Sequence, residues 1–507
     1  MKKIKKRFIR NVFFNIIALI STILALVFCL YIYKLDILPS NYLKIAFIVV
    51  GVIYFFLICL TLPRKMKIWI KAVCCFFFII NGLVFGYGIK YSDKTMETLD
   101  KINYDLAQKE DYEIKTVKSS SINSKDGLVN KKIGIFKNDK YDDVVKYLKK
   151  DIQCELVDYA DPVKFFEDLS EGVIDAVIAS DTVYGLLEED LAYMKLDLKT
   201  AHTIGIPITG EIKEVVKVVD VTNTPFNIFV AGGDKTGSIN KVMNTDVNMV
   251  VSIDPIEHKI LLTSIPRDYY VILPGKGDNA YDKLTHAGYY GVQESIRAVE
   301  KLLDIEINYY AKVNFTTIEK VVNAVGGVDV VSDFNFCKDG DRTVCFKKGN
   351  NHLDGKRALA FVRERHAFSD GDVQRVKNQQ KVIDAVIAKM TSSTSLLSKY
   401  TDILEAISSN FSTNLDRKSI SRIVKMQLND MRGWSSESQN LVGESAMSTK
   451  CYSLPGWNLY IMKQNPDSVK KASDKIKKFM NKDEKASDEE TSEEVNNEDK
   501  KEKKEQN

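Results

Sequence analysis

The sequence predicts an α/β protein: a sandwich built around one central sheet, preceded by a small α/β unit and by three N-terminal transmembrane helices. Three observations carry this. Long apolar runs follow a basic N-terminus. Beyond them, strand-length apolar runs alternate with amphipathic stretches in two successive units, the pattern of helices packed on a sheet. In the larger unit, strands end in loops rich in Gly, Asp and Arg, where open α/β sheets collect ligands. The 507 residues leave room for more than one domain. A net charge of +4 is too balanced to point to nucleic acid.

Residues 1–10, MKKIKKRFIR, are basic, and apolar runs follow at Asn11–Tyr33, Leu43–Leu62 and Ile68–Ile89. Each is close to the ~20 residues that cross a bilayer core. The first is too long, and too promptly followed by others, for a cleaved signal peptide. The loop between the second and third runs carries Arg64, Lys65, Lys67 and Lys71, whereas KLDILPSN between the first and second has one Lys and one Asp. The positive-inside bias therefore puts the N-terminus in the cytoplasm and everything after about Lys90 outside. The expectation is a multi-pass cell-membrane protein with its main domains on the extracellular face.

Residues 91–130 are polar and read as a stalk and linker. Residues 131–214 alternate strands (KKIGIF, QCELVDY, VIDAVIAS) with helices (DDVVKYLKK, PVKFFEDLSEG), a small accessory unit with no polar constellation. The main unit covers 215–465. PFNIFVAGGD, VNMVVSID and HKILLTSI are strands, helices are expected at Val292–Leu303 and Thr316–Val325, and NAVGGVDVV returns to a strand. Cys337 and Cys345 flank an Asp-Gly hairpin turn and suit a disulfide outside the cell. Residues 466–507 lose apolar spacing and read as a charged, disordered tail.

The most informative stretch is ALAFVRERHAFSDGDVQRVKNQQKVIDAVIAKM, Ala358–Met390. Its first part alternates like a strand buried on both faces, ending at Arg363-Glu364-Arg365 with the two arginines on one face. A helix is expected from about Asp372. At 100° per residue Asp372, Arg375 and Gln379 fall within about 60° of one another, on the side of Val376, Ile383, Ile387 and Met390. Lys377, Lys381 and Asp384 fall on the other. Buried charge needs a partner or a ligand. Three arginines, a carboxylate and an amide at a strand end and helix start suit a multiply charged anion, with a buried ion-pair network as the bland alternative.

Asp234 and Asp246 bracket a loop, and hard oxygen donors with few nearby N or S donors suit Mg²⁺ held with a phosphate; turn chemistry explains them equally well. GGDKTGS is no P-loop, because Ser238 stands where Lys is required. Neither a CxxC pair nor HExxH is present, which argues against zinc. A Ser-His-Asp set cannot be picked out by spacing. His286 and His366 read as structural residues.

The ordered motifs NIFVAGGD, NTDVNMVVSIDP, LLTSIPRDYYV, DKLTHAGYYG, INYYAKVNF, VNAVGGVDV, HLDGKRALAFVRER and GDVQRVKNQQ resemble those of the LytR-CpsA-Psr family over roughly residues 222–465. The three crossings and the extra α/β unit resemble its capsule-associated CpsA branch. The resemblance implies an α/β/α sandwich with a central mixed sheet. It implies an extracytoplasmic phosphotransferase that joins an undecaprenyl-pyrophosphate-linked glycopolymer, of capsular or wall teichoic acid type, to a peptidoglycan sugar hydroxyl through a phosphodiester. Arg267, Arg363, Arg365, Arg375 and Gln379 would hold the pyrophosphate, Asp234 and Asp246 would position Mg²⁺, and Asp372 and Asp268 would orient the arginines. One departure is Asn244, where many members carry Arg. Two other readings share the same site: a non-catalytic membrane receptor for lipid-linked precursors, against which the short basic cytoplasmic segments count, and a polyprenyl pyrophosphatase with water as acceptor.

Overall fold

The computed structural model describes the chain except for residues 1, 64–65, 103–108, 137–140, 160–161, 181–182, 185–195, 208–216, 234–243, 277–279, 370, 392–401, 409 and 482–507. The expected tail from 482 onward thus lies outside the described residues.

Three N-terminal helices, α1 (Lys2–Leu35), α2 (Ser40–Thr61) and α3 (Ile68–Ile102), are long and apolar enough to cross a membrane. Their lipid-type exposure is plain: Leu19, Ile23, Phe55 and Leu83 all face outward. Helices α1 and α3 approach closely because a Cβ at Gly88 would strike the Phe28 ring, the small-residue packing usual between apolar helices.

Much of the stretch expected as stalk and linker, 91–130, is regular structure among the described residues. Helix α3 runs on to Ile102, and strand β1 (Lys109–Val117) already belongs to the accessory sheet. That sheet also contains β2 (Lys132–Phe136), β3 (Glu155–Tyr159), β4 (Ala176–Ser180) and β5 (Leu198–Pro207), in the order β3-β2-β4-β1-β5. Helices α4 (Tyr141–Asp151) and α5 (Pro162–Ser170) fall where the sequence places them. The polar look of β1 misled because an antiparallel strand can leave one face to solvent.

The main sheet has six strands, β6 (Phe226–Gly233), β7 (Val247–Asp254), β8 (Lys259–Ile265), β9 (Tyr309–Asn314), β10 (Phe411–Thr413) and β11 (Ser435–Asn440), in the order β10-β9-β6-β7-β8-β11. It is mixed: β6–β9 and β8–β11 are parallel, whereas β6–β7, β7–β8 and β9–β10 are antiparallel. Period-2 alternation divides the side chains between two layers. Phe229, Val250, Leu261 and Tyr310 pack on one face with Ile296 and Val299 of a helix at Val292–Leu303 and with Ala472 and Ile476 of the C-terminal helix Pro466–Met480. Met249, Val251 and Leu262 pack on the other with Ile383 and Ile387. The result is an α/β/α sandwich, as expected. Helix Pro466–Met480 corrects the boundary drawn at 465: its lysine-rich outer face hides a short apolar stripe that closes the core.

The main unit rests on the N-terminal apolar helices. Leu99 of α3 and Ile37 join Leu404, Val424 and Leu428 in one apolar cluster, flanked by Lys94–Glu405 at 2.6 Å and Arg417–Asp100 at 3.4 Å.

Candidate anion-binding site

The Ala358–Val362 segment is a helix, not the expected strand. Helix Gly355–Arg363 starts at Asp354, whose side chain accepts from the Arg357 N–H at 2.8 Å, a standard N-cap. Ala358, Phe361 and Val362 are the fully buried positions, an i, i+3, i+4 set. Five consecutive apolar residues fit either period, and the cap at Asp354 decides. The functional consequence survives the correction. Arg363 is the last residue of the helix and Arg365 follows its C-cap, and both reach the same cavity. Glu364 borders the same cavity but is buried, accepting from the N–H of Asp339 at 2.7 Å and of Ala367 at 3.0 Å. Arg363 lies over the Phe315 ring, 4.6 Å from its centroid.

The next helix spans Asp372–Thr391, as the sequence predicts. Gln379 is buried, and Arg375 and Val376 line a cavity beside it, so the inward face is correctly read for these residues. A second buried face was missed: Asn378 and Val382 turn toward helix Gly355–Arg363, with the Asn378 amide donating to the Phe361 carbonyl at 3.3 Å, and Gln374 donates to Asp333 at 3.2 Å and to the Asn378 side-chain oxygen at 3.0 Å. Amides are polar enough to read as surface, and it takes neighbours distant in sequence to cover them. The side chain of Asp372 and all of Asp234 lie outside the described residues.

Two adjoining cavities meet at these side chains. The larger, 710 Å³, is partly open and the more polar of the two, and includes Arg363, Glu364, Lys338, Asp341 and Lys356. The smaller, 340 Å³, is an apolar slot between the sheet and helix Asp372–Thr391, walled by Val247, Ile265, Val376, Leu441 and Met462, with Gln379 at its side. Asp246, Arg267, Arg365 and Arg375 line both. These four form the seam between a polar chamber and a greasy one.

Arg267 is ion-paired to Asp246. Asp268 bonds the Lys283 ammonium at 3.0 Å and lies 3.9 Å from Arg267 Nε, so Asp246 rather than Asp268 is the main orienting carboxylate here. Asp246 is also a hard oxygen donor at the seam, a donor type that fits Mg²⁺ shared with phosphate. Among the described residues no group of three or more His, Cys, Asp or Glu could hold a metal.

Behind the seam lies a buried set that spacing did not reveal. Asp282 accepts from His286 Nδ1 at 2.6 Å, from the Ser453 N–H at 2.7 Å and from the Lys283 N–H at 2.8 Å. Burial pushes the Asp282 carboxyl up, but the His286 charge and the hydrogen bonds from His286 and Ser453 outweigh it and hold it below the usual carboxylate range. Ser453 Oγ lies 2.8 Å from the same His286 nitrogen, Nδ1. Acid and hydroxyl thus share one ring nitrogen, whereas a nucleophilic triad needs them on opposite ones. The set is structural, as expected for His286: the Thr285 N–H donates to the Arg267 carbonyl at 2.8 Å, and the Thr285 carbonyl accepts from the Thr245 N–H at 3.4 Å. It ties together the two loops that carry the Arg267–Asp246 pair. His366 is exposed and accepts from Arg365 Nε at 3.2 Å.

The expected disulfide is present. Cys337 and Cys345 are bridged across the hairpin of strands Phe336–Lys338 and Asp341–Phe346.

A profile of the LytR_cpsA_psr family matches residues 199–478. A polyisoprenyl-teichoic acid–peptidoglycan teichoic acid transferase, TagU, of Bacillus cereus is 42% identical over 192 residues, covering 38% of this chain and 61% of that protein. TagU of Enterococcus faecalis is 36% identical over 203 residues, 39% of this chain and 64% of that one. The chain thus spans about three fifths of the length of the curated relatives it matches. Among solved structures, TagT bound to LIIa-WTA shares 29% identity with a TM-score of 0.42, covering 52% of this chain and 94% of that one. TagV of B. subtilis shares 28% with a TM-score of 0.43, covering 51% and 98%. With the family profile matching more than half of its length, this chain belongs to the LytR_cpsA_psr family.

Proposed function

We propose that this protein is a membrane-anchored phosphotransferase that moves a glycopolymer of teichoic acid or capsular type from an undecaprenyl-pyrophosphate carrier to a peptidoglycan sugar hydroxyl. The observation that carries the reading is the seam. Asp246, Arg267, Arg365 and Arg375 stand where an apolar slot meets a partly open, more polar cavity. A lipid diphosphate has that division: a greasy tail, a charged middle and a sugar. The names of the related TagU proteins, transferases of polyisoprenyl-linked teichoic acid to peptidoglycan, support the same assignment.

In this reading the tail occupies the slot beside Val376, Leu441 and Met462, and Arg267, Arg363, Arg365, Arg375 and Gln379 bind the diphosphate. Arginine forks grip non-bridging oxygens bidentately and cost no reorganisation when charge redistributes. Asp246 orients Arg267, and the Thr285 peptide behind them keeps the two loops in register. The acceptor hydroxyl oxygen bonds the sugar-proximal phosphorus, and the bond from that phosphorus to the bridging oxygen breaks. Polyprenyl phosphate leaves, and the hydroxyl proton balances on it. Such a transfer needs mainly position and neutralised charge. Asp246 and Asp234 would hold Mg²⁺, which when bound supplies further charge neutralisation on the diphosphate. The three apolar helices would cross the cell membrane with the N-terminus inside, which leaves the site on the extracellular face, where peptidoglycan is.

The test is transfer of labelled lipid-linked polymer to peptidoglycan by the full-length protein in lipid vesicles, with and without Mg²⁺, and with water alone as acceptor. Transfer that is lost in Arg365→Ala and Arg375→Ala supports the reading. Diphosphate binding without turnover would indicate a receptor, cleavage with water alone a pyrophosphatase, and unchanged transfer in both variants would reject the site.

A further inference from the structure

The transfer reaction leaves open where the acceptor enters, and the two cavities answer it. Phosphoryl transfer brings the nucleophile roughly in line with the leaving group. The leaving polyprenyl phosphate lies toward the apolar slot, so the attacking hydroxyl comes from the far side of the seam, through the 710 Å³ cavity. The outer wall of that cavity is the Cys337–Cys345 hairpin together with the first turn of helix Gly355–Arg363.

The wall differs in charge from the seam. The seam carries three arginines against one carboxylate. The wall carries Lys338 and Lys356 against Asp339 and Asp341, and so is formally neutral. A polyanionic polymer would gain nothing from a neutral surface. A neutral, hydroxyl-bearing glycan would, because ammonium and carboxylate groups together serve hydroxyls both as donors and as acceptors. Val344 and Leu359 add apolar surface between these groups, suited to the C–H face of a pyranose.

The wall is also braced. The Phe336 and Phe346 rings pack on Phe361 of helix Gly355–Arg363, at 5.5 and 5.2 Å between centroids. The Arg357 guanidinium donates to the Cys345 carbonyl at 3.0 Å. The Asp339 N–H donates to Glu364, the residue between Arg363 and Arg365. Gly340 at the tip has φ +71°, the left-handed conformation its turn requires. A surface held at a fixed distance from the phosphate-binding arginines can present a hydroxyl in register.

We propose that the disulfide-braced hairpin with Lys356 is the acceptor subsite, and that it binds a neutral glycan strand. This rests on the phosphotransferase reading. The test uses the full-length protein in detergent, loaded with farnesyl diphosphate, and calorimetric titration with a soluble N-acetylhexosamine oligosaccharide from peptidoglycan. Wild type is compared with the exposed double variant Lys338→Ala/Asp341→Ala and with Cys337→Ser/Cys345→Ser. Lys338→Ala/Asp341→Ala should bind the oligosaccharide roughly tenfold more weakly, as expected for losing one or two hydrogen bonds of about 1 kcal/mol each; Cys337→Ser/Cys345→Ser should also weaken it, through loss of the brace, while farnesyl diphosphate affinity stays within about twofold of wild type in both. In the transfer assay the acceptor KM should rise by the same factor with kcat kept at saturation. Unchanged oligosaccharide binding in the Lys338/Asp341 variant, or a parallel loss of diphosphate binding, overturns the assignment. If wild type never transfers, the phosphotransferase reading fails, yet the oligosaccharide titration still decides whether the wall binds a neutral glycan.

Discussion

Arg267 offers the sharpest test of the seam, because its partner makes a prediction of opposite sign. Its guanidinium pairs with Asp246, and both side chains line both cavities. Replacing it with Ala removes a charge-assisted contact to the diphosphate and the ion pair that Arg267 makes with Asp246. At about 4 Å and an effective dielectric near 20, a unit charge pair is worth roughly 4 kcal/mol. The Arg267 side chain is 27% exposed, and a charged hydrogen bond typically nets about 1.5–3 kcal/mol. Arg267→Ala should therefore weaken farnesyl diphosphate binding by roughly 10- to 150-fold. Arg267→Lys keeps the charge but loses the fork, and should fall between the two. Asp246→Asn should tighten binding in the absence of Mg²⁺, since a repulsive carboxylate is gone, and weaken it when Mg²⁺ is present. The assay is calorimetric titration of the full-length protein with farnesyl diphosphate, with and without Mg²⁺. A loss under about threefold for Arg267→Ala, or Asp246→Asn weakening binding equally with and without the ion, would refute the reasoning.

Filling the slot should separate tail from headgroup: Val376→Trp should weaken farnesyl diphosphate at least tenfold and leave inorganic pyrophosphate affinity unchanged, read by competition titration. Asp282→Asn should cost about 3–5 kcal/mol of stability, as expected for breaking a buried charged pair, seen as a lowered denaturation midpoint. Because the folded Asp282 carboxyl sits below its unfolded value, its contribution is present above the unfolded pKa and fades as pH falls through the folded one; the variant should accordingly lose part of the wild-type drop in stability on acidification. Ile476→Ala should destabilise the main unit by about 2–5 kcal/mol, measurable by chemical denaturation, because Ile476 is fully buried against the sheet; a loss under 1 kcal/mol would mean that the C-terminal helix is not part of the core.

The sequence alone determined much that depends on local pattern. The three apolar runs became helices long enough to span a membrane, and the positions of β6, β7 and β8 follow from alternation between two buried layers. Arg267, Arg365 and Arg375 line both cavities, Arg363 only the larger and Gln379 only the smaller; the loop after β8, a helix C-terminus and one helix face bring them there. Pattern failed where two periods fit equally. Ala358–Val362 is apolar throughout, and the helix follows from the Asp354 cap and from packing against the hairpin phenylalanines. It also failed where a partner distant in sequence supplies the cover. Strand β1, helix Pro466–Met480 and the amides Gln374 and Asn378 all look like surface until the sheets and the neighbouring helix close over them. Only the tertiary structure could join Asp282 and His286 to Ser453, some 170 residues away, or set a neutral hairpin wall opposite an apolar slot. Local sequence specifies the period and the chemistry of a segment. Which face is buried, and which charges meet, depends on contacts that no spacing encodes.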